Sequence, residues 1–244
     1  MPDFFADSVF LRPPRTRSGQ PTLSRDQIVK AAIGLLDAEG PAGLSMRKLG
    51  TRLGAGATSM YWHVANKDEL LELAVDEVMG EAYVPEARDT SWRVGLSVWA
   101  NGMHAMLLRH PWVTGLLGTR PTIGPNAMRM GERAVTLLTV AGFEGLEVSH
   151  VISLLNAHAL GSAATQNAVE ISTRQAGIPI AELAGQMEPY LERLAPDHPN
   201  YDKWRRENAG DTLDPVKIWD EGFAFGLERI LDGLEQWLSA KKPA

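Results

Sequence analysis

The segment from Ser45 to Val64 carries side chains suited to contact nucleic acid. Five residues near its end combine hydroxyl, aromatic and imidazole groups with no acidic residue between them: Thr58, Ser59, Tyr61, Trp62 and His63. Such groups can contact base edges and phosphates without repulsion by the DNA backbone. Upstream, Arg47 can donate to O6 and N7 of a guanine, and downstream Lys67 can bind a phosphate. The chemistry predicted is therefore DNA recognition and not catalysis.

These side chains need short helices to hold them beside DNA. Ser24, followed three residues later by Gln27, forms a capping box that predicts the start of a first helix. Apolar residues then recur along one helical face: Ile28, Ala31, Ala32, Leu35 and Leu36. Gly40 and Pro41 predict the end of this helix.

Two further helices follow, with a glycine-bearing turn between them. Ser45 can cap the second helix, and Gly54 and Gly56 bracket the turn, where a positive φ costs glycine least. Asn66 and Glu69 predict the cap of a fourth helix that leads out of the domain. This order predicts a helix-turn-helix whose last helix enters the major groove.

The stretch from Leu23 to Met79 resembles the N-terminal DNA-binding domain of the TetR family of one-component repressors. The pieces RKL, RLG, YWHV and NKDELL occur in the family's order and spacing. Together with the residue types, the resemblance implies DNA contacts at Arg47, Ala57, Thr58, Ser59, Tyr61, Trp62, His63 and Lys67. Ala57 stands where relatives often carry a polar residue. For Trp62 and His63 the alternative is that Trp62 packs beneath the motif while His63 contacts the DNA backbone.

Charge is distributed unevenly along the chain. Residues 1–67 contain nine Lys and Arg against five Asp and Glu, whereas residues 68–244 contain fifteen against twenty-five. The net charge of −6 is therefore the sum of a positive N-terminal part, which can bind phosphates, and a negative remainder. Chance asymmetry is the alternative, but together with the motif the charge favours DNA.

Residues 1–22 are predicted to be a flexible basic arm. Four prolines prevent a regular helix there, and three arginines can enter a minor groove: Pro2, Pro13, Pro14 and Pro21, with Arg12, Arg15 and Arg17. The alternative is a solvated leader without a role. Acidic residues precede the apolar ones, which argues against a secretory signal.

Composition limits the cellular setting. The chain has no cysteine, which excludes disulfides and thiolate metal sites. It contains no apolar run long enough to span a membrane. We therefore expect a cytoplasmic protein without a membrane partner.

The remaining chain is predicted to be helical throughout, so the fold class is all-α. We expect a helix-turn-helix domain over residues 23–67 and a larger ligand-binding and dimerisation domain over residues 68–244. The patterns predict helices over residues 92–110, 125–142, 148–171, 180–194 and 215–238, and a loop over residues 195–214.

Two of these helices are suited to a dimer interface. The last helix places a broad apolar stripe on one side: Trp219, Phe223, Leu227, Ile230, Leu234 and Trp237, widened by Phe225 and Leu231. The helix after Glu147 carries small residues that permit close approach: Gly161, Ala163, Ala164 and Ala168. Such faces form four-helix dimer bundles, and the resemblance implies a homodimer. An intramolecular core must account for part of each stripe.

The C-terminal part resembles the TetR-type effector domain more weakly, through LLGTRPT, AGFEG, HALGSA and FGLERILDGLE. The resemblance implies a ligand pocket at Trp99, Met103, Trp112, Leu116, Thr119, Asn156 and His158. The alternative is that most of these side chains are core residues.

Tetracycline-binding members of the family hold a magnesium chelate with residues that this chain lacks. Leu116 and Leu117 precede Gly118 where the resemblance implies a histidine, and Thr165 and Ala157 replace an acid and a second histidine. A hard divalent cation needs oxygen ligands, usually carboxylates. We therefore expect an apolar or aromatic effector, with no metal and no cofactor.

Two functional classes are alternatives to a ligand-responsive repressor. An enzyme is disfavoured, because the six histidines include no metal-spaced pair and the chain has no GxSxG, P-loop or GxGxxG motif. A constitutive or architectural DNA-binding regulator without a ligand stays open. The function expected is a ligand-responsive repressor that binds a palindromic operator as a homodimer and is released by a small effector.

Overall fold

The computed structural model describes residues 8–11, 23–119, 122–209, 214 and 216–241. The regular elements within these ranges are helices, which confirms the all-α prediction. The α-helices are α1 Arg25–Gly43, α2 Met46–Leu53, α3 Ala57–His63, α4 Lys67–Met79, α5 Trp92–Arg109, α6 Pro125–Ala141, α7 Leu146–Ala176, α8 Ile180–Leu194, α9 Pro199–Glu207 and α10 Gly222–Lys241. Short 3-10 helices occupy Val9–Leu11, Pro111–Val113 and Ala195–Asp197, and a π-helix occupies Val216–Glu221.

The chain forms two compact units, residues 1–153 and residues 154–244. The first contains α1 to α6 and the start of α7, and the second contains the rest of α7 and the helices after it. The expected domain boundary after residue 67 stays a prediction.

Local capping explains the first helices. Ser24 Oγ accepts from the amide of Gln27 at 3.1 Å, and Gln27 Oε1 accepts from the amide of Ser24 at 2.8 Å. Gly40 has a φ of 69° and breaks the helical geometry, although helical hydrogen bonding resumes as far as Gly43. Asn66 Oδ1 accepts from the amide of Glu69 at 2.8 Å. The capping box and the cap at Asn66 are thus confirmed, whereas α1 extends to Gly43, past the end predicted at Gly40 and Pro41.

Apolar faces of α1 to α4 share one core. Its largest fully buried side chains are Ile28, Leu36, Leu49, Met60 and Leu70. A second set, contributed by α5, α6 and the loop after α6, forms the core of the rest of this unit: Leu96, Trp99, Met106, Leu107, Leu137, Leu138 and Phe143. Burial of these side chains supplies the main driving force for folding.

Asp76 connects α4 to α6. Its buried carboxylate accepts from the amides of Asn126 at 3.1 Å and Ala127 at 3.0 Å, at the first turn of α6. Gly124 fits beside it, because a Cβ there would lie 2.2 Å from Asp76 Cγ. A carboxylate at a helix N-terminus satisfies free amides and interacts favourably with the helix dipole.

Replacement of Asp76 by Ala is expected to lower the free energy of unfolding by about 1–3 kcal/mol, because two partly buried amides lose their acceptor. Asp76→Asn retains one acceptor oxygen and is expected to lose less. Denaturant unfolding of the three proteins measures the difference. Equal stability of the Ala variant and the parent would show that the cap contributes nothing.

Part of the predicted N-terminal arm is placed. Ser8 Oγ and the amide of Val9 donate to Glu72 Oε2 at 2.9 and 3.0 Å, so the 3-10 turn Val9–Leu11 is held against α4. The flexible basic arm expected over residues 1–22 stays a prediction. Its prolines and arginines, from Pro2 to Pro21, lie outside the described residues.

The expected loop over residues 195–214 was wrong for its first half, which contains α9. Pro199 begins α9, where its fixed φ suits a first helical turn. Asp202 accepts from Arg205 at 2.8 Å and from Arg206 at 2.8 Å, spacings that stabilise a helix. These bonds hold the pKa of Asp202 below its ordinary value of 3.8. A loop was predicted because the segment is polar, whereas charge pairs between its side chains stabilise a helix.

The expected last helix also begins later than predicted, because residues from Val216 to Glu221 form the π-helix. On α10 the inward residues are Phe223, Leu227, Leu231 and Leu238. Phe225 and Trp237 are 65% and 55% exposed. The stripe predicted as one face therefore divides into a buried side and a side that faces outward.

Candidate DNA and effector sites

The turn between α2 and α3 requires a close approach of two backbone segments. Gly54 has a φ of 60° and its amide bonds to the carbonyls of Gly50 and Thr51. A Cβ at Gly50 would lie 2.9 Å from the carbonyl oxygen of Ala55. The angle between α2 and α3 therefore depends on glycine at position 50.

The recognition side chains predicted on α3 differ in exposure. Ser59 is exposed and Tyr61 is 46% exposed, whereas Trp62 and His63 are half-buried. The Trp62 and His63 rings meet edge to face, with centroids 6.0 Å apart. Ala57 and Thr58 belong to α3, but their side chains lie outside what the structure describes. Ser59 and Tyr61 thus expose surface on α3, and their contacts with bases or phosphates stay a prediction.

Basic residues flank α3 on both sides. Arg47 is exposed on the first turn of α2. Lys67 Nζ donates to the carbonyl of Pro41 at 2.6 Å, which ties the start of α4 to the end of α1. Its phosphate contact stays a prediction, and in the absence of DNA the side chain has an intramolecular acceptor.

Three predicted effector residues lie in the core of the first unit. Trp99, Met103 and Trp112 are only 2%, 4% and 6% exposed. Within the described part of the chain, the buried Nε1 of Trp99 has no hydrogen-bond partner. Buried polar groups in folded proteins nearly always have a hydrogen-bond partner, so an acceptor for this N–H is expected. A bound molecule can supply one.

The other predicted effector residues are less buried. Leu116 is half-buried, and its carbonyl accepts from the hydroxyl of Thr119, which is exposed, at 2.8 Å. In the second unit Asn156 is half-buried. His158 Nε2 lies 3.0 Å from the carbonyl oxygen of Phe223, and the two rings stack with centroids 4.9 Å apart. His158 therefore fastens α7 to α10, and its role toward a ligand stays a prediction.

Open cavities lie elsewhere and were not predicted. In the second unit a cavity of about 610 Å³ is lined by α7, by the turn before α8 and by the π-helix, with Gln166, Arg174 and Trp219 on its wall. In the first unit another of about 610 Å³ lies between residues 86–88 and α6. Both volumes fall within the range of small-molecule sites.

Sequence reasoning also missed a cluster around Asp37. Its Oδ1 atom lies 2.7 Å from both Trp112 Nε1 and His110 Nδ1. The partners are more than seventy residues apart, so no local pattern points to the contact. The only available indication was a histidine before Pro111, at the end of a predicted helix.

Among the described residues, no group of three or more His, Cys, Asp or Glu is arranged to hold a metal ion. None of the helices within the described ranges is both long and apolar enough to cross a membrane.

Comparison with known proteins identifies both parts of the chain. Residues 28–74 match the family described as bacterial regulatory proteins, tetR family, and residues 84–238 match the tetracyclin repressor-like C-terminal domain. The HTH-type transcriptional repressor DrrR1 of Streptomyces coeruleorubidus is 34% identical, over 93% of this chain and 83% of that protein. The class A tetracycline repressor protein of transposon 1721, from Escherichia coli, is 28% identical over 87% of this chain and 90% of its own length.

A solved structure agrees with the fold. ActR of Streptomyces coelicolor, in complex with actinorhodin, superposes with a TM-score of 0.70 and 34% identity, covering 88% of this chain and 98% of ActR. The helix-turn-helix geometry and the match of both domains lead to one conclusion. The chain belongs to the TetR family of bacterial transcriptional regulators.

Proposed function

We propose that this protein is a repressor that binds a palindromic operator as a homodimer and is released by a small apolar or aromatic effector. It acts in the cytoplasm, where its operator lies. DNA binding is supported most directly by the close packing of α2 against α3, which requires glycine at position 50. This packing leaves Ser59 and Tyr61 exposed on α3. Membership of a regulator family supports the same proposal.

Dimerisation is supported by the outward faces of α7 and α10. Phe225 and Trp237 expose large aromatic surfaces on α10, and Gly161, Ala164 and Ala168 expose small surfaces on α7. Apolar surface of this kind is typical of protein interfaces. One short α3 contacts few base pairs, whereas a dimer contacts two half-sites about 34–36 Å apart.

The effector is supported by the buried Trp99, whose Nε1–H has no acceptor among the described residues. A ligand oxygen placed there would satisfy it, while the surrounding apolar side chains would hold an aromatic body. ActR, whose structure contains actinorhodin, supports a small-molecule effector for this chain as well. The absence of acids at the positions that resemble the magnesium site favours a ligand bound without a metal.

A second candidate is a regulator without an effector. The packing of Trp99 and Met103 in the core favours it, because side chains then fill the space that a ligand would need. The two candidates differ in whether any small molecule lowers operator affinity.

The experiment begins with the purified protein and fragmented DNA from its own source, followed by sequencing of the retained fragments. A palindrome with half-sites one turn apart is expected. Retention of random fragments that modest salt abolishes would leave only phosphate-driven binding. Actinorhodin, and then fractionated extracts of the source organism, are next tested for release of the selected operator.

Trp99→Phe is expected to weaken effector-induced release about tenfold, because the ring stays and only the N–H is lost. Operator affinity without effector is expected to change little. Titration of the operator complex with the releasing compound measures both. Trp92→Phe, which alters a half-buried tryptophan stacked edge to face on Phe143, is the matched control. Equal release by the Trp99 and Trp92 variants would contradict a Trp99 contact.

A further inference from the structure

A cluster of five side chains joins the DNA-binding helices to the end of α5. It consists of Asp37, Glu81, Arg109, His110 and Trp112 and is called the Asp37 cluster below. Asp37 stands on α1, while Glu81 follows α4. Arg109 ends α5, His110 caps it, and Trp112 lies in the 3-10 turn behind it. The cluster therefore connects the helix-turn-helix region to the helices that would sense an effector.

The contacts in this cluster converge on one carboxylate oxygen. Trp112 Nε1 donates to Asp37 Oδ1 at 2.7 Å, and His110 Nδ1 lies 2.7 Å from the same atom. The His110 side chain is only 5% exposed, and its ring meets the Trp112 ring with centroids 6.1 Å apart. Asp37 is thereby held by two groups from beyond α5, which restricts how α1 can move relative to them.

The second ring nitrogen of His110 also faces a carboxylate. Nε2 lies 3.2 Å from Glu81 Oε1, and Arg109 forms an ion pair with the other oxygen of Glu81. Ionised carboxylates can only accept hydrogen bonds, and a neutral imidazole carries a single N–H. Only the doubly protonated ring can donate to both Asp37 and Glu81. The charged groups in contact with this ring and its partners are Asp37 from α1, Glu81 from the segment after α4, and Arg109 from α5.

We propose that His110 is a positioning residue whose protonation fixes the orientation of the DNA-binding helices, so that operator affinity depends on pH through this side chain. The proposal rests on the operator-binding function proposed above. Histidine normally changes charge between pH 5 and 8. When the ring loses its second proton, one nitrogen becomes an acceptor that faces a carboxylate, and the contact with α1 or with Glu81 weakens.

The direction of the pH effect on operator affinity follows from the entropy cost of fixing the DNA-binding helices in one orientation. A helix pair already held in its binding orientation loses less freedom when it meets DNA, so its affinity is higher. The protonated cluster holds α1 most firmly. Operator affinity is therefore expected to be higher at about pH 6 than at about pH 8, the interval over which histidine normally changes charge.

The test compares operator affinity at about pH 6 and pH 8, at constant ionic strength, for the parent protein and His110→Gln. The parent is expected to lose about fivefold more affinity over this interval than the variant, the scale of one hydrogen bond to a charged group that is partly exposed to solvent. His150→Gln, at an exposed position on α7, is the matched control and is expected to keep the parental slope. His63→Gln separates any pH dependence that arises on α3 itself.

A second variant guards against a folding defect at position 110. Asp37→Asn keeps an acceptor oxygen for Trp112 but removes the charge, so it is also expected to flatten the profile. A purely structural role would lower affinity equally at both pH values. Parallel profiles for the parent, His110→Gln and Asp37→Asn would overturn the proposal, as would a profile that is steeper in the variants.

A measurement on the free protein separates this proposal from operator binding. Nitrogen-15 spectra of the free protein are expected to show two protonated ring nitrogens of His110 at the lower pH of the comparison and one at the higher pH. The indole N–H signal of Trp112, assigned by its loss in Trp112→Phe, is expected to shift as His110 titrates. If the Trp112 signal responds to His110 but no operator is found, the coupling within the Asp37 cluster is supported and the proposed operator-binding function is contradicted. If Trp112 does not respond to His110, the proposal fails whatever the DNA result.

Discussion

Gly50→Val is expected to reduce operator affinity by about 100-fold, while the protein stays folded. The reason is the approach of α2 to the turn before α3. A Cβ at position 50 would lie 2.9 Å from the carbonyl oxygen of Ala55 and 3.1 Å from the end of the Met60 side chain. Met60 is flexible and can move, but the backbone carbonyl cannot move without rotating α3. The exposed Ser59 and Tyr61 would then no longer match the groove.

Operator binding and thermal unfolding of Gly50→Val measure the two parts of this prediction. Gly50→Ala should show an intermediate loss, since its single Cβ meets the same oxygen. Gly131→Ala is the matched control, because it also lies inside a helix and, apart from its own helix backbone, its Cβ would meet no atom of the described residues within 4 Å. It should bind the operator normally and gain about 0.5–1 kcal/mol in stability. Normal operator affinity of Gly50→Val would contradict the helix-turn-helix geometry.

Phe225→Glu is expected to give a monomer and to lower operator affinity by about 100-fold or more. Phe225 is 65% exposed on the outward side of α10, where the proposed dimer contact would cover it. A dimer would bury one new carboxylate from each protomer in an apolar contact. Arg229 lies over the ring at position 225 but is already paired with Asp232, so burial of the new charge is still unfavourable. A monomer then binds one half-site and loses the gain from linking two.

Light scattering after size exclusion measures the mass, and operator titration measures the affinity of this variant. Val140→Glu serves as its control, since Val140 is 72% exposed on α6, away from α10 in sequence. The control should stay dimeric and bind DNA normally. A dimeric Phe225→Glu with full operator affinity would place the interface on another surface.

The first four helices could be predicted because their information is local. Ser24 with Gln27, and Asn66 with Glu69, begin helices through hydrogen bonds between residues three apart. Gly40 and Gly54 mark positive φ values that other residues adopt rarely. The ends of α5, α6 and α8 were predicted closely for the same reason.

What the sequence did not reveal depends on distant contacts or on charge. Helix α9 has no buried residue, and ion pairs from Asp202 to Arg205 and Arg206 stabilise it. Asp37 and Trp112 are separated by seventy-five residues, so their hydrogen bond needed the fold to be seen. Trp112 was predicted as an effector contact, and its N–H already has an acceptor in Asp37. The side chains proposed for the operator and the effector stay predictions until binding is measured.

The most direct test of the central proposal is a competition between the selected operator and a scrambled DNA of the same composition, combined with a footprint of the complex. The proposal predicts a preference of about 1,000-fold or more at physiological salt. It also predicts two protomers per operator and two protected regions about 34–36 Å apart on one face of the DNA. Equal affinity for both DNAs, or one protected region bound by a single protomer, would contradict a dimeric sequence-specific repressor.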